Sequence, residues 1–278
     1  MEVKGLGVVP ERSQLRQRLL SAAVFIPILL LIIWFGPLWL FSLLIAAVAL
    51  LGAIEFYRLA THGGWQPSVV LGVAFTLFFI ADAYFAEPRA TEILIPTAVA
   101  LPLLWLLLRS RGEKTLANWL WTVGGIFYIG WMLGHFIPLR ELEQGRDWVI
   151  LALFTTFAAD SGAYLIGRAW GRHSVVPKIS PGKTWEGTFA GLIAGIAAAI
   201  ALNAILGLPI SYWQVSLLGF LIAAVAFVGD LVESMLKRKG GVKDAGRLIP
   251  GHGGILDRLD SVVFTVVLVY YYVVWFIV

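Results

Sequence analysis

Long apolar stretches alternate with short polar segments along most of the chain. A helix needs roughly 20 apolar residues to cross a hydrocarbon core about 30 Å thick. The stretches lack the residue-by-residue alternation of a membrane β-barrel strand, so the pattern predicts an all-α polytopic membrane protein with about nine transmembrane helices. The predicted helices are residues 19–35, 37–57, 68–86, 91–108, 117–138, 148–167, 184–207, 213–236 and 261–278.

Composition supports a membrane protein and excludes some kinds of site. The chain is 59% hydrophobic and 14% charged, with a mean hydropathy of +0.85, which lies far outside the range of soluble domains. The first stretch is not followed by a small-residue cleavage site, so it is predicted to be a retained helix rather than a signal peptide. The absence of cysteine excludes disulfides and thiolate metal sites.

The positions of Lys and Arg predict the orientation in the membrane. With the N-terminus in the cytoplasm, all but three of the 21 basic residues fall on the cytoplasmic side; the exceptions are Arg89, Arg140 and Arg146. The positive-inside rule therefore predicts a cytoplasmic N-terminus and an outside C-terminus in an inner or plasma membrane. A net charge of +4 fits basic loops that face anionic lipid, and it does not indicate a nucleic-acid partner.

The polar residues of the second half fall in three patches. They are Asp160-Ser161, the segment 178–184, and the segment 230–260. In the predicted topology all three meet at the cytoplasmic side, where charged groups in a membrane protein usually mark a functional site. Residues 1–147 are therefore predicted to form a lipid-facing scaffold, and residues 148–278 a catalytic transmembrane domain with its polar site facing the cytoplasm.

The third patch contains two pairs of acids. Asp230 and Glu233 are three residues apart, as are Asp257 and Asp260, so each pair shares a helix face. Carboxylates on facing helix ends suit Mg²⁺, which completes its shell with waters and substrate phosphates. The alternative is an interfacial network in which these acids pair with nearby arginines.

The basic patches are suited to phosphate. The segment from Ser180 to Thr184 runs into a predicted helix, whose first backbone N–H groups and dipole attract an anion. It is not a Walker A loop, because the first glycine of that motif is missing and no strand is predicted before it. Near His252, glycines allow close approach of a ligand, and His252 would be a phosphate donor or a general acid. The alternative for each segment is a simple turn.

Three further features have a structural interpretation. Gly187, Gly191 and Gly195 form a small-residue stripe, which predicts helix packing within the chain, with a homodimer contact as the alternative. Glu55 is predicted either to form an ion pair one turn away or to line the cavity. Asp82 is predicted to lie near the outer end of its helix, away from the polar site.

Taken in order, the polar residues between about 155 and 262 form one long motif. It includes Ala-Asp160-Ser161-x-x-Tyr164, Lys178-x-Ser180-Pro-Gly-Lys183-Thr184, Ser234, Lys237-Arg238, Lys243-Asp244, His252-Gly253-Gly254, Asp257-Arg258 and Asp260. This motif resembles the signature of the phosphatidate cytidylyltransferases, or CDP-diacylglycerol synthases, and departs from it at no key position. The first 150 residues resemble that family only in helix number and in the pair Glu55-Phe56.

The resemblance implies that CTP and phosphatidate react to give CDP-diacylglycerol and pyrophosphate with Mg²⁺. The lipid phosphate would attack the α-phosphorus in line, so catalysis would rest on positioning and on charge stabilisation. The predicted catalytic residues are Asp230, Asp257, Asp260 and Lys183, with the three aspartates also binding metal. The predicted substrate-binding residues are Asp160, Ser161, Lys178, Ser180, Thr184, Arg238, Lys243, His252 and Arg258.

Two other functions remain open from the sequence. A lipid or polyprenol kinase would use similar groups but would transfer the γ-phosphoryl group. An ion-coupled transporter would also carry acids in its helices. Two features argue against a transporter. The acids lie at helix ends beside the segment 178–184, which is suited to phosphate, and the sequence shows no inverted repeat.

Overall fold

In a computed structural model, which describes residues 26–87, 89–109, 113–242, 244–246 and 253–277, the described part of the chain is mostly helical. The first half contains α1 (Ile26–Phe35), α2 (Leu38–His62), α3 (Val69–Phe85), α4 (Ala90–Arg109), α5 (Thr115–Gly125), a π-helical segment (Ile126–Trp131), α6 (Met132–Gly134) and α7 (Phe136–Glu141). The second half contains α8 (Gly145–Trp170), β1 (Ser174–Val176), β2 (Ser180–Thr184), α9 (Trp185–Leu206), α10 (Tyr212–Lys239), α11 (Leu256–Leu259) and α12 (Val262–Phe276).

Seven of the helices in the described part of the chain are long and apolar enough to cross a membrane. Two of these seven are composite, because Thr115–Glu141 joins α5 to α7 and Leu256–Phe276 joins α11 to α12. The helices α1 and α3 are apolar but shorter. The prediction of an all-α polytopic membrane protein is confirmed, whereas the number of nine crossings and the orientation of the termini stay predictions.

Helix starts and ends follow local chemistry. Ser211 and Gln214 form a capping box at the start of α10, and the Thr184 hydroxyl accepts a hydrogen bond from Gly187 N at the start of α9. Such caps satisfy backbone N–H groups that have no partner within the helix. Gly207, with φ of +66°, ends α9 in the left-handed conformation that glycine tolerates.

The segment before α9 is a β-hairpin rather than the predicted loop. β1 and β2 pair antiparallel, with Ser174 opposite Thr184 and Val176 opposite Ser180. The expectation that no strand precedes α9 was therefore wrong. The hairpin is tied to α9 by the Glu186 carboxylate, which accepts hydrogen bonds from the backbone of Arg172 and His173 at 3.2 and 3.3 Å. These hydrogen bonds join residues 13 and 14 positions apart, so they could not be predicted from the hydrophobic pattern of the sequence.

The glycine stripe of α9 is used inside the chain. A β-carbon at Gly191 would lie 3.0 Å from the Ala159 carbonyl of α8, and one at Gly195 would lie 2.8 Å from Ala223 Cβ of α10. The small residues therefore let α9 pack closely against both neighbours, as small residues do in membrane helix bundles. The packing interpretation is confirmed, and the stripe does not supply a free face for the alternative of a homodimer.

Helix α2 joins the two halves of the molecule. On one side, the Tyr57 hydroxyl donates a 2.9 Å hydrogen bond to the Thr122 carbonyl of α5. On another side, Leu59 packs against Gly240 at the end of α10, and Lys239 O lies beside Gly63. The C-terminal end of α2 therefore lies next to the C-terminal end of α10.

Candidate active site

A cavity of about 170 Å³ lies among α8, α9, α10 and β2. Its polar lining is formed by Asp160, Lys183, Thr184 and Asp230, which were all singled out from the sequence. The rest of its lining is mostly small or apolar: Ala159, Ala163, Tyr164, Gly182, Gly187, Thr188, Gly191, Ala223 and Phe227. The cavity thus combines charged groups with a wall of small side chains between membrane helices.

Lys183 is the cation of this cavity. Its ammonium lies 2.7 Å from Asp230 Oδ2 and 5.4 Å from the centre of the Phe227 ring. Only 15% of the side chain is exposed, because β2 places it over the cavity just before α9 begins. A buried ammonium beside the first turn of a helix adds a fixed positive charge to an N-terminus that already favours anions.

Three carboxylates lie together at the end of α10. Oxygens of Asp230, Glu233 and Asp260 are all within 4.8 Å of one another. Asp260 approaches because Gly229 carries no side chain, and a β-carbon there would be forced against the Asp260 carbonyl. Carboxylates this close repel one another unless a cation or a proton lies among them. Their hard oxygen atoms are the donors that Mg²⁺ prefers.

Asp160 approaches the same group from α8. Its Oδ1 accepts a 3.4 Å hydrogen bond from Ser261 Oγ, and Ser261 N donates to Asp260 Oδ1 at 2.8 Å. Ser261 therefore links the two aspartates across the α8–α12 contact. The sequence had placed Asp160 at this depth from the predicted topology alone.

Asp257 has a different environment from the one predicted. Its carboxylate accepts hydrogen bonds from Lys237 Nζ at 2.9 Å, Gly254 N at 2.9 Å and Ala245 N at 3.1 Å. Lys237 also lies 2.5 Å from Glu233 Oε2, so it bridges the two acids. The close carboxylate group contains Glu233 where the predicted metal set had Asp257. Asp230 pairs here with Lys183, and Glu233 and Asp257 pair with Lys237.

The other predicted site residues lie around this centre. Ser161 and Lys178 are exposed, Ser180 is half-buried in β2, and the exposed Arg258 lies on α11. Arg238 Nε donates to Ile179 O at 3.3 Å, which ties the end of α10 to the hairpin. Lys243 and His252 lie outside the described residues.

Three residues at or beside the site were noted in the sequence but left out of the predicted site residues. Glu233 is fully buried, and its spacing from Asp230 signalled that it shares that helix face. Lys237, four residues further along α10, signalled an ion pair with Glu233. Glu55 had been given two interpretations, and the structure favours neither an ion pair nor a cavity wall, because its Oε2 accepts a 2.8 Å hydrogen bond from Leu256 N.

Comparison with known proteins assigns the chain to a family. The model of the cytidylyltransferase family matches residues 16–276. The chain belongs to the cytidylyltransferase family. Three relatives, each named phosphatidate cytidylyltransferase, are similar to this chain over most of its length. The relative from Synechocystis sp. is 35% identical over 93% of this chain and 96% of its own.

The other two relatives come from distant bacteria. The relative from Haemophilus influenzae is 33% identical over 89% of this chain and 94% of its own. The relative from Bacillus subtilis is 30% identical over 92% of this chain and 97% of its own. The resemblance to this family first noted from residues 155–262 is therefore confirmed, and it extends through the first half of this cytidylyltransferase chain.

Proposed function

We propose that the protein transfers the cytidylyl group of CTP to phosphatidate, giving CDP-diacylglycerol and pyrophosphate. The observation that carries this proposal is that Lys183 and Asp230 line one cavity with an apolar wall, and that Asp230 also belongs to the carboxylate group. A triphosphate needs cations and a metal, and a lipid needs an apolar path to the same atoms. The family and the names of the relatives support CTP and phosphatidate as the pair of substrates.

The reaction forms one phosphorus–oxygen bond and breaks another. An oxygen of the lipid phosphate attacks the α-phosphorus of CTP, and the bond from that phosphorus to pyrophosphate breaks. A phosphate monoester is already largely ionised near pH 7, so the lipid needs no general base. Lys183, with the N-terminus of α9 beside it, would stabilise charge on the phosphoryl oxygens. Lys178, Ser180, Arg238, Lys243, His252 and Arg258 stay proposed further contacts to the substrates, with Ser161 and Thr184.

The donor set at the end of α10 fits Mg²⁺. Asp230 and Asp260 offer carboxylate oxygens close together, and Glu233 adds a third acid that Lys237 holds in place. When bound, Mg²⁺ would neutralise charge on the transferred phosphate and the leaving group. Asp257 is proposed to hold Ala245 N and Gly254 N beside Lys237, and its role as a metal ligand stays a prediction. Asp160 would add a carboxylate to the same region through Ser261.

The lipid is proposed to enter from the membrane side of the cavity. Ala159, Ala163 and Phe227 form an apolar wall next to Lys183. Such a wall suits the glycerol and the first methylenes of a lipid, while the phosphate stays at the charged end. Residues 148–278 would then form the catalytic domain and residues 1–147 a scaffold. A homodimer stays a separate proposal that no contact described above supports.

The transferred phosphorus distinguishes this function from a lipid or polyprenol kinase and from a transporter. We expect purified protein with phosphatidate, Mg²⁺ and α-labelled CTP to give labelled lipid. With γ-labelled CTP, the label should appear only in pyrophosphate, and a chelator should stop both. Lipid labelled from the γ position would indicate a kinase. Membranes that label no lipid from either position would favour a transporter.

The proposed orientation places the site in the cytoplasm. Lys239 is exposed at the end of α10, and Glu143 is exposed between α7 and α8 at the opposite end of the bundle. The chain has no cysteine, so single cysteines can be introduced without background. In sealed cells, Lys239→Cys should resist a membrane-impermeant thiol reagent, whereas Glu143→Cys should react. Labelling of Lys239→Cys from outside would reverse the orientation.

A further inference from the structure

Glu55 is a buried acid of the first half that contacts the catalytic segment. It lies on α2, and only 3% of the residue is exposed. Its Oε2 accepts a 2.8 Å hydrogen bond from Leu256 N, a residue 201 positions away at the start of α11. A buried carboxylate is costly unless polar partners compensate it, so this contact is a specific one rather than incidental packing.

Two glycines allow the carboxylate to reach the backbone. A β-carbon at Gly254 would lie 2.5 Å from Glu55 Oε2, and a β-carbon at Gly246 would overlap Oε1. The carboxylate therefore lies directly against the backbone of both glycines. Any side chain at either position would displace it. Gly246 and Gly254 therefore allow the backbone to approach a carboxylate of α2 closely.

The contact belongs to one stripe of α2. Gly52, Glu55, Leu59 and Gly63 are spaced as one helix face. Gly52 lies near Leu259 Cδ1 of α11, Leu59 packs on Gly240, and Gly63 lies beside Lys239 O. This face thus follows the end of α10 and the segment 254–259. Glu55 is the charged group in the middle of it.

Glu55 and Asp257 act on the same short piece of backbone. Gly254 N donates to Asp257 Oδ2 at 2.9 Å, and two residues later Leu256 N donates to Glu55 Oε2. Asp260 follows directly after α11. The direction in which Asp257 and Asp260 project therefore depends on a backbone held by a residue of the first half.

We propose that Glu55 is a positioning residue for the transfer reaction, fixing residues 254–256 so that Asp257 meets Lys237 and Asp260 meets Asp230. The expected effect on kcat rests on the proposed function, whereas the contact between Glu55 and Leu256 does not. It gives the first half of the chain a part in assembling the site in addition to its role as a membrane scaffold. Small displacements of such groups are costly, because phosphoryl transfer depends on alignment.

The first test measures the backbone directly and needs no substrate. Glu55→Met keeps the length of the side chain but removes both oxygens that could accept the hydrogen bond from Leu256 N. We expect faster hydrogen–deuterium exchange in the peptide that contains Leu256, by about tenfold or more, in full-length protein in detergent or nanodiscs. Exchange in α8 and α9 should be unchanged.

The second test is kinetic. Glu55→Met and Glu55→Asp, which keeps the charge but shortens the reach, should each lose about 10- to 100-fold in kcat. The KM for CTP should change by less than about threefold, because Lys183 and α9 do not contact Glu55. In a double-mutant cycle with Asp257→Asn, the losses should be less than additive if both residues act through the same backbone.

Tyr57→Phe is the matched control. It removes a buried hydrogen bond from the same helix two residues away, but that bond goes to Thr122 in the first half. We expect a lower Tm, normal exchange at Leu256 and a normal kcat. If Glu55→Met behaves like Tyr57→Phe, Glu55 serves only stability and the proposal is wrong. If wild-type protein labels no lipid from α-labelled CTP while exchange at Leu256 still responds to Glu55→Met, the proposed function fails and the contact stands.

Discussion

Two acids on apolar helices, Asp82 and Asp230, show how a lone acid differs from a functional site. Both line cavities between helices. Asp82, in the last turn of α3, accepts a 2.5 Å hydrogen bond from Thr91 Oγ1, a neutral donor nine residues away. Asp230 pairs with Lys183 at 2.7 Å and has two further carboxylates within 4.8 Å.

The two regions also lie at opposite ends of the bundle. The start of α3 follows the end of α2, which lies beside α10 at the polar site. Asp82 is 13 residues further along, or about 20 Å at 1.5 Å per residue. Its cavity, of about 400 Å³, is lined mostly by apolar groups such as Phe78 and Ile93. A single acid satisfied by a local hydroxyl therefore indicates structure, whereas acids crowded beside a lysine indicate binding.

The largest effect is expected at the crowded carboxylates. Asp230→Asn and Asp260→Asn keep the shape and remove one charge each. We expect a loss of about 10²-fold or more in kcat, because a metal ligand acts in the transition state. The measurement is turnover of α-labelled CTP into lipid across a range of Mg²⁺ concentrations.

Thermal unfolding separates this role from an ion-pair role. Without Mg²⁺, Asp260→Asn should keep or raise the Tm, because it relieves repulsion among the carboxylates. Asp257→Asn should lower the Tm, because it weakens the contacts to Lys237, Gly254 and Ala245. Near-normal turnover in folded Asp230→Asn and Asp260→Asn would mean that the three carboxylates form only structural ion pairs. The functional difference between Asp82 and Asp230 would then disappear.

A somewhat smaller effect is expected at the cation. Lys183→Met keeps the length of the side chain and its contact with Phe227 but removes the charge. We expect about a tenfold to 10²-fold loss in kcat/KM, with part of it in the KM for CTP, because charge-assisted contacts to phosphate are lost. Lys178→Met is the matched comparison, since Lys178 is exposed in the hairpin turn, and its loss should be smaller. Equal losses at both positions would argue for a diffuse basic surface instead of a bound phosphate at Lys183.

Hydrophobic pattern and motif were enough to predict an all-α bundle of apolar helices and the meeting of its polar patches. Asp160, Lys183, Thr184 and Asp230 were predicted from the alternating topology, and the structure brings them to one cavity. That success has a physical reason: in a helical membrane bundle, depth follows from residue count, so polar groups at the same depth and side are neighbours.

Contacts between distant backbone segments were not predictable in this way. The hairpin before α9 depends on Glu186 and two backbone N–H groups, and the position of α11 depends on Glu55, far earlier in the chain. Neither contact produces a periodic pattern of residues in the sequence. For the same reason, the sequence did not show that the close carboxylate group contains Glu233 where Asp257 was predicted. Each of these acids shares a helix face with another acid, so only the packing of α11 on α10 shows which carboxylates meet.

The smallest effect is expected at Asp82. Asp82→Asn keeps an oxygen that can accept from Thr91 Oγ1, so both the local hydrogen bond and the end of α3 should survive. We expect kcat and the KM for CTP within about twofold of wild type and a Tm within a few degrees, because no catalytic group lies near it and a neutral amide is easier to bury than a charge. Turnover and unfolding should be measured beside Asp230→Asn in the same preparation. A tenfold loss in kcat at Asp82 would mean that the far end of α3 is coupled to the polar site, and that burial of an acid in this bundle carries functional meaning without a lysine or a second carboxylate.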